Sequence, residues 1–232
     1  MRPLKKIQMK IDWLALPGIP AGAEIWERLP VRRCSFLGLQ DDQPRTRWKL
    51  ESFVDEVLPQ YNEHSIVIGH DLGGVVACMA ALRKAPRALV LSGTALGSWW
   101  FWTRRSADPI VHYFFYHMFK GTLFVRLGGG DDTADRFSKQ NGVHHDPRKM
   151  RILAKHMKPP KGLAESVATI CPVFLIWGKK EVFYPGFIAK SLSKKMNAPI
   201  FWNDGGHYCM WTHTQSFLES MVHIEEELCS KH

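Results

Sequence analysis

The stretch Ser65-Ile66-Val67-Ile68-Gly69-His70-Asp71-Leu72-Gly73-Gly74-Val75-Val76 constrains this chain more than any other. An apolar strand runs into Gly69, a G-x-D-x-G corner turns the chain, and small residues continue as a helix through Leu82. This is the pattern of a nucleophile elbow, whose flanking glycines let a reactive side chain sit on a sharp strand-to-helix turn above a sheet. Asp71 stands where such an elbow usually carries serine. A carboxylate attacks well at an sp³ carbon bearing a leaving group, and the ester formed can then be hydrolysed.

Around that corner, apolar runs and helical periodicities alternate, which predicts a mostly parallel sheet flanked by helices. Strands are expected over residues 11–16, 35–39, 65–69 and 88–91, with a short helix over 23–29. Residues 48–61 read as an amphipathic helix, with Leu50, Phe53, Val54, Val57 and Leu58 on one face. The alternation then stops. Residues 97–166 hold the aromatic run Trp99-Trp100-Phe101-Trp102, a helix-like segment over 111–119, Gly128-Gly129-Gly130-Asp131-Asp132 and a basic segment over 147–161. The sheet pattern resumes at 173–178, followed by a helix over 186–195, a strand over 200–202 and a last helix over 213–228. Residues 1–96 and 167–232 are therefore expected to form one core. Residues 97–166 are expected to form a small helical cap over the carboxyl edge of the strands, where the elbow also points.

A length of 232 residues suffices for one core plus such an insertion. A net charge of +9 favours an acidic partner, an anionic substrate or a carrier protein among them. The basic residues are scattered and form no stripe, which argues against nucleic acid. The five cysteines include no C-x-x-C pair, so neither zinc nor a disulfide framework is expected, and free thiols suit a cytoplasmic protein. His144-His145-Asp146 lacks a third ligand at helical or hairpin spacing, so no metal or other cofactor is expected. Lys10 and Asp12 interrupt the apolar N-terminal stretch, and no window approaches the ~20 apolar residues of a membrane helix.

A nucleophile that forms an ester needs a base to activate water and an acid to orient that base. Glu181 follows the strand expected at 173–178, and His207 ends the loop Asp204-Gly205-Gly206-His207 after the last strand. Asp204, Asp131 and Asp132 are the alternative acids. The order Asp71, Glu181, His207 resembles the triad of the α/β-hydrolase fold. That resemblance spans nearly the whole chain and implies such a fold, shortened at its N-terminus. Pro17-Gly18-Ile19-Pro20 resembles the H-G-x-P segment of epoxide hydrolases, with Pro17 in place of histidine. By this resemblance the backbone N–H groups of Ile19 and Leu72 form an anion cradle, and His70 packs beneath the loop.

Gly69-His70-Asp71-Leu72-Gly73-Gly74 is similar to the nucleophile segment of epoxide hydrolases and haloalkane dehalogenases. Dehalogenases typically carry Trp where this chain has Leu72, often place Asn where Ile19 stands, or follow the nucleophile with Arg. The substrate contacts implied are Tyr113 and Tyr116, one helical turn apart, with Trp99, Trp100 and Trp102 offering indole N–H donors. The expected activity is hydrolysis of a mostly apolar small molecule with Asp71 as nucleophile. An epoxide is the first substrate class and a carbon–halogen bond the second. Three other readings keep the fold. Asp71 is the base of a lyase or cyclase; the chain is a carrier-linked (thio)esterase-like enzyme; or it binds a ligand without turning it over.

Overall fold

The computed structural model describes residues 9–18, 22–34, 49–96, 126, 128–132 and 159–230. Six strands form a single sheet: β1 (Trp13–Leu16), β2 (Arg32–Arg33), β3 (Ile66–His70), β4 (Ala88–Ser92), β5 (Val173–Gly178) and β6 (Ile200–Asn203). All neighbours pair in parallel, in the order β2-β1-β3-β4-β5-β6. Parallel pairing requires a crossover between strands, and helices supply most of them. Among the described residues α1 (Leu50–Val57), α2 (Leu72–Arg83), α3 (Leu163–Ala168) and α4 (Gly186–Met196) lie between strands, and α5 (Cys209–Thr212) and α6 (Thr214–Ser230) follow β6.

Successive strand residues face opposite sides, and both sides are covered. Leu14, Leu16, Val67, Leu89, Leu91, Leu175 and Trp177 join one buried cluster with α1 to α4. Trp13, Ala15, Ile66, Ile68, Val90, Phe174 and Ile176 join the other, with α5 and α6. The central strands are apolar on both faces for this reason. Helix α2 is buried nearly all round, which explains its run of small side chains.

Expectation and structure differ at the edges of elements. The helix expected over 23–29 is one 3₁₀ turn, Ala23–Trp26. The helix expected over 48–61 holds α form over Leu50–Val57 and tightens to 3₁₀ at Leu58–Gln60, where Pro59 enters. One edge of the sheet is the exposed pair Arg32–Arg33; the strand expected over 35–39 lies outside the described residues.

One topological fact places the site. From β1 the chain goes outward to β2, and from β3 it goes the other way to β4. The loops leaving β1 and β3 therefore diverge, which opens a crevice at the carboxyl ends of these two neighbours. Asp71 follows β3 at that point, and Gly18 follows β1.

Candidate active site

Asp71 occupies the corner between β3 and α2 with φ 49° and ψ −115°. Such a backbone costs a non-glycine residue on the order of 1–3 kcal/mol, and persists only where its surroundings over-determine it. They do so here. The Asp71 N–H donates to the Ser92 carbonyl at 3.1 Å, and its carbonyl accepts from Gly74 N–H at 3.1 Å. A side chain at Gly69 or Gly73 would meet backbone atoms at 2.5 Å, so both positions of the G-x-D-x-G corner admit only glycine. Leu72 opens α2, where an N–H has no acceptor within its own helix. The side chain of Asp71 is half-buried, and its Cβ lies so close to Gly18 that a Cβ there would stand 2.6 Å away.

Glu181 sits in the tight turn after β5, with its N–H donating to the Gly178 carbonyl at 3.2 Å. It is 7% exposed and faces inward. Its Oε1 accepts from the backbone N–H groups of Phe183 at 2.7 Å and Tyr184 at 3.2 Å. Its Oε2 lies 2.7 Å from Nδ1 of His207, which is 3% exposed. Facing a carboxylate, Nδ1 holds the proton and Nε2 is the basic nitrogen. Burial by itself would push the His207 imidazole down. The charge and hydrogen bond of Glu181, with the charge of Asp71, outweigh it and raise the pKa above the ordinary histidine value.

The acid and histidine loops are joined directly. Lys179 N–H donates to the Asn203 carbonyl at 2.7 Å, and Lys180 N–H to the Gly205 carbonyl at 3.0 Å. The turn at Gly128 also reaches the histidine loop, its carbonyl accepting from Tyr208 N–H at 3.1 Å. Asp131 accepts from the Trp211 indole at 2.9 Å, and Asp204 pairs with Lys179 at the surface at 2.7 Å. Neither takes the place of Glu181 beside His207.

His70 packs at the Gly18 side of the corner. A Cβ on Gly18 would lie 3.0 Å from its ring. Its Nδ1 donates to the Ser92 carbonyl at 3.0 Å, and burial holds it well below the ordinary histidine pKa, so it stays neutral. Its ring centroid is 4.3 Å from that of His207.

The structure also brings in a residue that the sequence reading does not single out. Tyr184, three residues beyond Glu181, donates its hydroxyl to Asp71 Oδ1 at 2.5 Å. Its ring centroid lies 5.7 Å from that of His207, so one phenol spans the two groups. The signal available was the Tyr-Pro pair that begins three residues after the acid. Ile19, Trp99, Trp100, Trp102, Tyr113, Tyr116 and the His144-His145-Asp146 segment lie outside the described residues. Among the described residues no group of three His, Cys, Asp or Glu side chains is arranged to hold a metal ion. No helix among them is long and apolar enough to cross a membrane.

A wholly parallel sheet, a strained elbow and a buried acid–histidine pair on one sheet edge define a class of protein. The sequence profile of the alpha/beta hydrolase family matches residues 13–219, and the chain belongs to that family. Solved structures agree on the fold. An esterase from Exiguobacterium antarcticum superposes with a TM-score of 0.73 at 15% identity, over 94% of this chain and 92% of its own. The haloalkane dehalogenase DbeA from Bradyrhizobium elkani gives 0.72 at 15% identity, over 96% and 92%. The epoxide hydrolase CorEH gives 0.68 at 15% identity, over 94% and 92%. A search of curated proteins finds no significant match. Hydrolysis is the class of reaction that the family supports.

Proposed function

We propose that this protein hydrolyses a mostly apolar electrophile by covalent attack of Asp71, with an epoxide as the first substrate class and a carbon–halogen bond as the second. The observation that carries the reading is a carboxylate held on the elbow beside a Glu181–His207 pair. A serine there would acylate; a carboxylate attacking an acyl group would give an anhydride, so an sp³ carbon is the better partner. The haloalkane dehalogenase and epoxide hydrolase share this fold, but so does the esterase, and the choice rests on the carboxylate.

In the first step an Asp71 oxygen bonds to the electrophilic carbon, whose bond to the leaving atom breaks with its electron pair; a halogen departs as halide, and an epoxide oxygen takes a proton from water. In the second, His207 Nε2 takes a proton from water, whose oxygen attacks Cγ of Asp71. The tetrahedral intermediate expels the alcohol oxygen, which recovers the proton from His207, and the carboxylic acid left at Asp71 ionises to restore the carboxylate. Glu181 orients the imidazole and stabilises its charged form. Residues 97–166 serve as the cap over the substrate, with Trp99, Trp100, Trp102, Tyr113 and Tyr116 as its contacts. Ile19 and Leu72 supply the backbone donors, and the net charge of +9 suits an anionic or carrier-bound substrate. A cytoplasmic site of action fits the free cysteines.

The test is a panel of epoxides, haloalkanes, haloacids and p-nitrophenyl esters with two variants. Asp71→Asn is expected to abolish turnover, and His207→Gln to accumulate an alkylated Asp71 visible by mass spectrometry. In a single turnover in labelled water, the product oxygen comes from Asp71 and is unlabelled. Labelled product would instead make Asp71 a base that activates water for direct attack on the substrate.

A further inference from the structure

Tyr184 is fixed at every polar atom it owns. Its N–H donates to Oε1 of Glu181 at 3.2 Å, and its carbonyl accepts from the buried Trp177 indole at 2.8 Å. Its hydroxyl donates to Oδ1 of Asp71 at 2.5 Å, and Pro185 then leads the chain into α4. The side chain is 9% exposed. The two oxygens of Asp71 thus have different surroundings. Oδ1 carries the phenol, and Oδ2 lies toward Gly18, 3.1 Å from where a Cβ on that residue would be.

From this arrangement we infer that Tyr184 is the side-chain oxyanion donor of the second step, a role that rests on the covalent reading above. In this proposal Oδ2 bonds to carbon, and Oδ1, at which the phenol is directed, becomes the ester carbonyl. When water attacks Cγ, the electron pair of that carbonyl moves onto Oδ1. The phenol already points at this atom. On collapse the pair returns to the carbonyl and the bond to the alcohol oxygen breaks, so Tyr184 keeps its proton throughout.

The bond is weaker to a neutral ester carbonyl than to the oxyanion that follows, so the interaction grows as the barrier is climbed. A donor anchored beforehand at its own N–H and carbonyl needs no reorganisation at that moment. Burial, then the charge and hydrogen bond of Asp71, hold the phenol well above its ordinary pKa, which keeps it a donor. A ring-opening acid is a poorer role for it. In-line displacement sends the leaving oxygen away from the attacking carboxylate, and the phenol lies on the carboxylate side.

Rapid-quench mass spectrometry on Tyr184→Phe, with styrene oxide and 1-bromohexane as probes, separates the steps. Alkylation of Asp71 is expected to stay within a few-fold of the parent. Decay of the adduct is expected to slow by about 10²-fold or more, the usual loss for one oxyanion donor. The ester then accumulates although His207 is intact. Equal slowing of both steps, slowing of alkylation alone, or no slowing overturns the assignment. If His207→Gln with Tyr184 intact forms no Asp71 adduct from either probe, the covalent reading itself falls, and this role with it. Thermal unfolding of Tyr184→Phe within a few degrees of the parent shows that the kinetics report on the hydroxyl and not on misfolding.

Discussion

A carboxylate at Glu181 changes both what His207 is and when it works. The imidazole must be neutral to accept a proton from water, and its pKa lies above the ordinary histidine value of about 6.5. Adduct hydrolysis therefore falls as pH drops through the value of His207 in the adduct, where Glu181 still raises it and the esterified Asp71 no longer does. Glu181→Gln removes the charge that does the raising and leaves burial, which pushes the other way. The acid limb of the hydrolysis rate is expected to move to lower pH, and the plateau to fall as Nδ1–H loses its anionic partner. Stopped-flow profiles of adduct decay check both. Stability follows the same sign. A raised folded pKa stabilises the protein below about pH 6.5, and this contribution is lost as pH rises through the folded value. The variant should accordingly lose more thermal stability in mild acid than in mild base.

Among the elements, the last helix secures the first strand. Glu225 of α6 is 5% exposed and accepts from Lys10 N–H at 2.9 Å, Ile11 N–H at 3.0 Å and the Trp13 indole at 2.8 Å. This carboxylate pins the entry to β1, whose carboxyl end delivers Gly18 to Asp71. Glu225→Ala leaves these donors without their acceptor and is expected to cost about 2–4 kcal/mol in urea unfolding. Glu225→Gln keeps one acceptor oxygen and should cost less. On the periodicity of its neighbours Glu225 reads as one more charge on an acidic helix end; its burial is set by a contact 212 positions away. The histidine loop has a comparable anchor, with the Arg28 guanidinium 3.6 Å above the Trp211 ring.

For the molecule as a whole, two buried clusters sandwich the sheet, and its middle is its most protected part. β3 and β4 pair on both sides with neighbours that are themselves buried, whereas β2 is two exposed residues at an edge. Hydrogen exchange should show amides of β3, β4 and β5 opening only with global unfolding, and those of β2 opening far sooner. Faster exchange in β4 than in β2 would contradict this core. The strained corner at Asp71 thus grows from the stiffest strands, which is what holding an unfavourable backbone requires.

Much of this was legible in one dimension. Alternating apolar runs specify strands and helices through side-chain direction, a property of residues a few positions apart. The corner glycines at 69 and 73 are legible too, since glycine at 69 lets β3 approach α2 and glycine at 73 lets α2 approach the end of β1. The order of Asp71, Glu181 and His207, each following a strand, implies a shared edge once the sheet is parallel. Tertiary structure alone decided the rest. Local pattern does not say that β1 lies between β2 and β3, nor that the Gly128 turn meets the histidine loop. It does not say that the Tyr184 hydroxyl meets Asp71 across 113 positions of chain. Those meetings depend on which strands become neighbours, and that choice is made by burying both faces of the sheet at once.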